Sequence, residues 1–122
     1  MAITQTSTQT TRNRGGKIQI LHVPEELDLA TADSLAARGC AALGDAWLLL
    51  LDLSGLSFCD ARGLSAFVKI ANHADRMGCH YGLVAPRSQV AKVLQICRLD
   101  QRLPVFATID DVMVHLTVVA SA

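Results

Sequence analysis

The sequence predicts a single α/β domain: a mixed, mostly parallel β-sheet with about four helices packed on it. Three observations predict it. The chain has 122 residues and 51% of them are apolar, which suits one domain with a sizeable core. Strand-like and helix-like patterns alternate along it, with no interior linker and no internal repeat. The stretch Ala46 to Leu53 is apolar at nearly every position, as expected of a central parallel strand covered on both faces.

In chain order, residues 1–16 read as a polar N-terminal segment and residues 17–118 as the domain. The Thr-rich start has no clear periodicity and reads either as an edge strand or as a tail. Arg14-Gly15-Gly16-Lys17 reads as a turn, and makes a hairpin if the segment before it is a strand. Lys17 to Val23 alternates apolar and polar residues as a strand does, and Pro24 stops it. Asp28 is a candidate cap for a helix over Ala30–Leu43. There Ala32, Leu35, Ala36, Cys40 and Leu43 share one face, and Gly44-Asp45 breaks the helix.

The strand Ala46–Leu53 leads through a short loop to a helix over Ala61–Met77. Its apolar face carries Leu64, Phe67, Val68, Ala71 and Ala74, and Gly78 sits where a left-handed terminal residue belongs. Cys79–Ala85 reads as a third strand and Pro86 as a turn. Ser88 reads as the cap of a helix over Gln89–Cys97. Val105–Ala107 is a short last strand. Thr108 and Asp111 have the spacing of a helix cap before a final helix to about Val118.

Composition narrows the function. The formal net charge is zero, so no global field draws in nucleic acid or an anionic membrane. No apolar run reaches the roughly 18 residues of a spanning helix. The first residues have no apolar core like that of a secretion signal, and a cytoplasmic location is expected. Cys40, Cys59, Cys79 and Cys97 are widely spaced with no C-x-x-C, so they read as small buried hydrophobes and not as metal ligands. No glycine-rich phosphate cradle is present, and no cofactor is expected. His22, His73, His80 and His115 fall on different elements. Neither His22 nor His73 has an acid at a spacing that would orient it, and no enzymatic activity is expected.

The junction Phe58-Cys59-Asp60-Ala61-Arg62-Gly63-Leu64 is the most informative stretch. A strand, a loop and a helix start meet there, which leaves the first helical N–H groups pointing outward. Asp60 is placed to cap them. Gly63 is costly so early in a helix, which suggests a reason such as close approach of another backbone: a packing role, with an interface role as a second reading. Arg62, Lys69 and Arg76 recur at intervals of seven and share one helical face near His73. They form either a solvated stripe or a contact face for an acidic partner.

Three stretches resemble the STAS family, the domain of bacterial anti-sigma factor antagonists. Glu26-Leu27-Asp28-Leu29-Ala30-Thr31-Ala32 is similar to the segment opening its first helix. Leu50 through Leu64, with Asp52-Leu53-Ser54-Gly55 and Asp60-Ala61-Arg62-Gly63-Leu64, is similar to its signature strand, loop and helix start. Val90-Ala91-Lys92-Val93-Leu94 to Leu99, then Val105-Phe106, resembles its third helix and last strand. The match runs from about Lys17 to Leu116.

The resemblance implies a protein-binding regulator. In the antagonists, the loop and helix start of a D-S-x-G-L motif dock on an anti-sigma factor, often a serine kinase. The kinase phosphorylates the serine after the aspartate, and the added charge of about −2 disrupts the interface. Carried onto this chain, the partner-binding residues are Asp28, Ser57, Asp60, Ala61, Arg62, Gly63 and Leu64. The serine position holds Ala61, which has no hydroxyl. Arg62 stands where a small residue is common, and Pro24 where glycine is frequent.

Three explanations of Ala61 follow: an antagonist that its kinase cannot switch off, use of Ser57 or Ser65 instead, or a scaffold or transporter-accessory role. A sensor holding an anion at the helix start beside Arg62 is a further reading. Oligomeric state is left open, a dimer included.

Overall fold

A computed structural model describes residues 7–13, 16–44 and 46–121. In chain order the elements are β1 (Ser7–Asn13), β2 (Gly16–His22), β3 (Glu26–Leu27), α1 (Leu29–Leu43), β4 (Leu48–Asp52), β5 (Phe58–Cys59), α2 (Ala61–Met77), β6 (His80–Val84), α3 (Ser88–Ile96), α4 (Leu99–Arg102), β7 (Val105–Phe106) and α5 (Ile109–Ser121). Five strands form one sheet in the order β1-β2-β4-β6-β7. The β1–β2 pair is antiparallel and every other pair is parallel. A second ladder of β3 and β5, also parallel, stands apart from it.

The four leucines of β4 explain the layering. Successive side chains of a strand point to opposite faces. Leu49 and Leu51 join Leu21, Leu35, Phe67, Leu83 and Leu94 in a core beneath α1, α2 and α3. Leu48 and Leu50 join Ile18, Ile20, Val84, Val112 and Leu116 in a core beneath α5. All four leucines are almost fully buried, and each contributes about 1.5–3 kcal/mol by leaving water. The apolar run expected of a central strand is therefore that strand, shared between two cores.

Helices α1 and α2 pack closely where Gly39 faces Ile70. A Cβ at position 39 would lie 2.5 Å from the Ile70 Cδ1. Gly78 ends α2 in the left-handed region, at φ 69°. Its N–H donates to the Asp75 carbonyl at 3.2 Å, and Cys79 N–H donates to Ala74 at 2.9 Å. These are the two bonds of a Schellman ending. The buried Tyr81 hydroxyl donates to the Phe67 carbonyl at 3.2 Å, tying β6 to α2.

Several boundaries differ from expectation for local reasons. The N-terminal stretch is an edge strand: β1 pairs along β2 from Ser7↔His22 to Asn13↔Gly16. Residues 14 and 15 of the expected turn, and Asp45, lie outside the described residues. β4 starts two residues late because the Ala46 N–H still bonds the exit of α1 at Leu43. β6 starts after Cys79, whose N–H serves the end of α2, and stops before Ala85, whose φ of 57° turns the chain away.

Ser88 is not a cap but the first residue of α3. Arg87 holds the cap position without a side-chain bond to the helix, and its Nε reaches back to the Ser54 carbonyl at 2.8 Å. The expected single helix to Cys97 ends at Ile96. Arg98, left-handed at φ 59°, separates it from α4. At the last helix Thr108 Oγ1 accepts from the Asp111 N–H at 3.1 Å, as the spacing required. The cysteines are less uniformly buried than expected. Cys79 is buried, Cys40 and Cys59 are half-buried, and Cys97 is exposed because it falls on the outer corner between α3 and α4.

Candidate protein-docking site at the start of helix α2

The junction is built by the two-residue ladder that sequence periodicity could not show. Glu26 pairs with Phe58 and Leu27 with Cys59. The loop before β5 is fastened to the same segment. The Glu25 carbonyl accepts from Ser57 N–H at 2.8 Å, Phe58 N–H at 3.2 Å and Ser57 Oγ at 3.2 Å. Asp60 N–H donates to the Leu27 carbonyl at 3.4 Å. The chain then enters α2.

Asp60 is the N-cap, with extended backbone at φ −95° and ψ −174°. Its Oδ1 accepts from Arg62 N–H at 2.9 Å and Gly63 N–H at 3.2 Å. Two of the outward-pointing donors are thereby satisfied, as expected. Asp28 caps α1 in the same way. Its Oδ1 accepts from Ala30 N–H and Thr31 N–H, both at 3.1 Å, and its own N–H donates to Thr31 Oγ1 at 2.9 Å. The bonds from the Thr31 backbone and then the Thr31 hydroxyl hold the Asp28 carboxyl below its ordinary range.

Gly63 is buried, and the crowding is by side chains, not by another backbone as the sequence suggested. A Cβ there would lie 2.6 Å from Cys59 Sγ and 2.9 Å from Leu27 Cδ2. Burial, and then the charge of Asp60, push the half-buried Cys59 thiol up to about 11. Leu64 faces the core. Ala61, Arg62 and Ser65 are exposed, and Phe58 beside them is 54% exposed. Both nearby hydroxyls are occupied by backbone: Ser57 by Glu25, and Ser65 by the Ala61 carbonyl at 3.1 Å.

Of the expected basic stripe, Arg62 and Lys69 line a groove against α1 together with Ala32, Asp33, Ala36, Ser65 and Ala66. Arg76 lies two turns beyond Lys69, its Nη2 3.4 Å from His73 Nδ1. His22 has an acid partner that its sequence neighbourhood did not reveal. Parallel pairing of β2 with β4 sets it opposite Asp52, with Nδ1 2.9 Å from Oδ2. That pair lies at the end of the main sheet, with the Ser54 N–H also bound to Asp52 at 2.9 Å. Among the described residues, no group of three or more metal-binding side chains gathers, and no helix is long and apolar enough to cross a membrane.

Comparison with known proteins agrees with this architecture. The family model described as STAS domain matches residues 9–112. No curated protein matches the chain significantly. Among solved structures, an anti-sigma factor antagonist from Mycobacterium paratuberculosis superposes with TM-score 0.71 at 23% identity, over 91% of this chain and 93% of that one. The Bacillus cell fate determinant SpoIIAA in its phosphorylated form gives 0.64 at 18% identity, over 90% and 99%. The murine Solute Carrier 26 family member A9 anion transporter gives 0.75 at 20% identity, over 95% of this chain and 22% of the transporter. At these identities each likeness is one of fold. The family model covers most of the chain, and the chain belongs to the STAS domain family.

Proposed function

We propose that this protein is a non-enzymatic, protein-binding regulator of the anti-sigma factor antagonist kind, docking through the start of α2. The docking residues are Asp28, Ser57, Asp60, Ala61 and Arg62 at the surface, with the buried Gly63 and the core-facing Leu64 holding that turn from beneath. Its partner is a regulatory protein, with a serine-kinase anti-sigma factor as the first choice, and the pairing takes place in the cytoplasm. One observation carries the reading. The residue after the capping aspartate is exposed at the first turn of α2, with Arg62 beside it. A partner can therefore reach that turn without unfolding anything.

Ala61 makes this an antagonist that its kinase does not switch off at that position. Ser57 and Ser65 are poor substitutes, since both hydroxyls donate to backbone carbonyls. The test uses a purified serine-kinase anti-sigma factor and radiolabelled ATP. The parent chain is expected to bind without taking label, and Ala61→Ser is expected to take it. Strong labelling of the parent that survives Ser57→Ala with Ser65→Ala would contradict the reading.

A transporter-accessory role is the second reading, supported by the likeness of fold to the anion transporter. It predicts no affinity for anti-sigma factors.

A further inference from the structure

The two edges of the main sheet are unequal. One is β7, two residues long; the other is β1, seven residues long. An edge strand turns alternate backbone N–H and C=O groups away from its neighbour, and those groups can pair with another strand. Residues 8–12 of β1 are all exposed.

Proteins usually blunt such an edge with proline, several charges or a bulge. The β1 sequence, Ser7-Thr8-Gln9-Thr10-Thr11-Arg12-Asn13, holds no proline and one charge. Its pairing with β2 runs without a break from Ser7↔His22 to Asn13↔Gly16, so no bulge twists it away. Its three threonines favour extended backbone.

The same sequence says what fits the edge. In antiparallel pairing with a second copy, centred on Thr10, Thr10 lies opposite Thr10, Gln9 opposite Thr11 and Thr8 opposite Arg12. Side chains two residues apart share a face of the sheet. Thr8, Thr10 and Arg12 therefore lie on the Gln19 side, where Thr10 Oγ1 donates to Gln19 Oε1 at 2.6 Å.

Arg12 decides the register. It already lies opposite Lys17 of β2, so a third cation beside it would be repelled. Centring on Thr10 gives it neutral Thr8 instead. The two Arg12 residues are then four positions apart, about 14 Å, which exceeds the ~10 Å over which exposed charges act. Centring on Arg12 would set them face to face. The register that suits the charge is thus one that the strand can make with itself. The chain's formal net charge of zero does not oppose bringing two copies together.

We infer that β1 is a self-association edge: two copies of this chain pair β1 with β1, antiparallel about Thr10, and join their sheets into one. The inference goes beyond the docking reading, to whose surface β1 contributes no residue.

Sedimentation velocity of the full chain from about 1 to 500 μM should show a reversible monomer–dimer equilibrium. Amide NMR shifts that change on dilution should map to residues 7–13. Thr8→Glu sets a carboxylate opposite Arg12 of the other copy, twice per dimer. It should tighten the dimer about fivefold at low salt, and Thr8→Lys should loosen it about as much, both effects shrinking as salt rises. Within one copy Thr8 lies opposite Leu21, so neither charge gains an ion partner across β2. Circular dichroism confirms the fold of each variant.

A chain that stays monomeric at every concentration leaves the edge to an extended segment of some other protein and overturns the inference. A dimer that both Thr8 variants leave unchanged overturns it too, as does one whose dilution shifts map away from β1. Partner binding that depends on Arg62 decides the docking reading separately and stands beside either result.

Discussion

Asp28 and Asp60 occupy matching positions at the ends of two paired strands. Each follows the last residue of the Leu27↔Cys59 pair, and each caps a helix with its Oδ1. The short ladder sets the two helix starts side by side. The proposed docking surface is thus a consequence of strand pairing, with the two caps fixing where each helix begins.

Removing the second cap should be felt in stability. Asp60→Ala leaves the Arg62 and Gly63 N–H groups without their acceptor and should cost about 1 kcal/mol. Asp60→Asn, which keeps an acceptor oxygen, should cost less. Urea melts of the three proteins check the order.

Asp28 supplies the pH dependence. Its carboxyl ionises more readily folded than unfolded, where the ordinary value is 3.8. Its contribution is therefore present above that value and is lost as pH falls through the lower folded value. The stability difference between the parent and Asp28→Asn should be constant at neutral pH and shrink on acidification below about pH 4. Thermal melts across that range measure it.

Gly63→Ala should destabilise, although alanine normally gains about 1 kcal/mol over glycine inside a helix. The new methyl meets Cys59 Sγ and Leu27, and overpacking of that kind costs about 1–3 kcal/mol. Adding Cys59→Ala should recover part of the loss. Additive losses in the double variant would show that the crowding is not the cause.

The cysteines should differ in reactivity. Cys97 is exposed, whereas the Cys59 thiol is half-buried and pushed up to about 11. Mild iodoacetamide at pH 8 should modify Cys97 first and Cys59 slowly, because the thiolate is the reactive form. Peptide mass spectrometry gives the order.

Legibility in the sequence followed the length of each signal. The four leucines of β4 and the caps and left-handed terminus of α2 are long or chemically distinct patterns, and they were readable. The β3–β5 ladder was not, because two-residue strands have no period. The His22–Asp52 pair was hidden because the two residues are joined only by the register of two distant strands. The break at Arg98 was missed because arginine carries no signal for a left-handed backbone. At the candidate site, Asp60 and Gly63 were readable from type and position. What crowds Gly63 and occupies the Ser57 and Ser65 hydroxyls required the third dimension.

The central claim is that a partner reads the start of α2, and association kinetics test it most directly. Surface-plasmon measurements would compare the parent with Arg62→Glu against a serine-kinase anti-sigma factor at low and high salt, with melts confirming both folds. An exposed charge at the rim of an interface acts mainly on association and is screened by salt. Arg62→Glu should therefore slow association about tenfold at low salt and far less at high salt, with little change in dissociation. A folded Arg62→Glu variant that binds like the parent at both salts would contradict the claim.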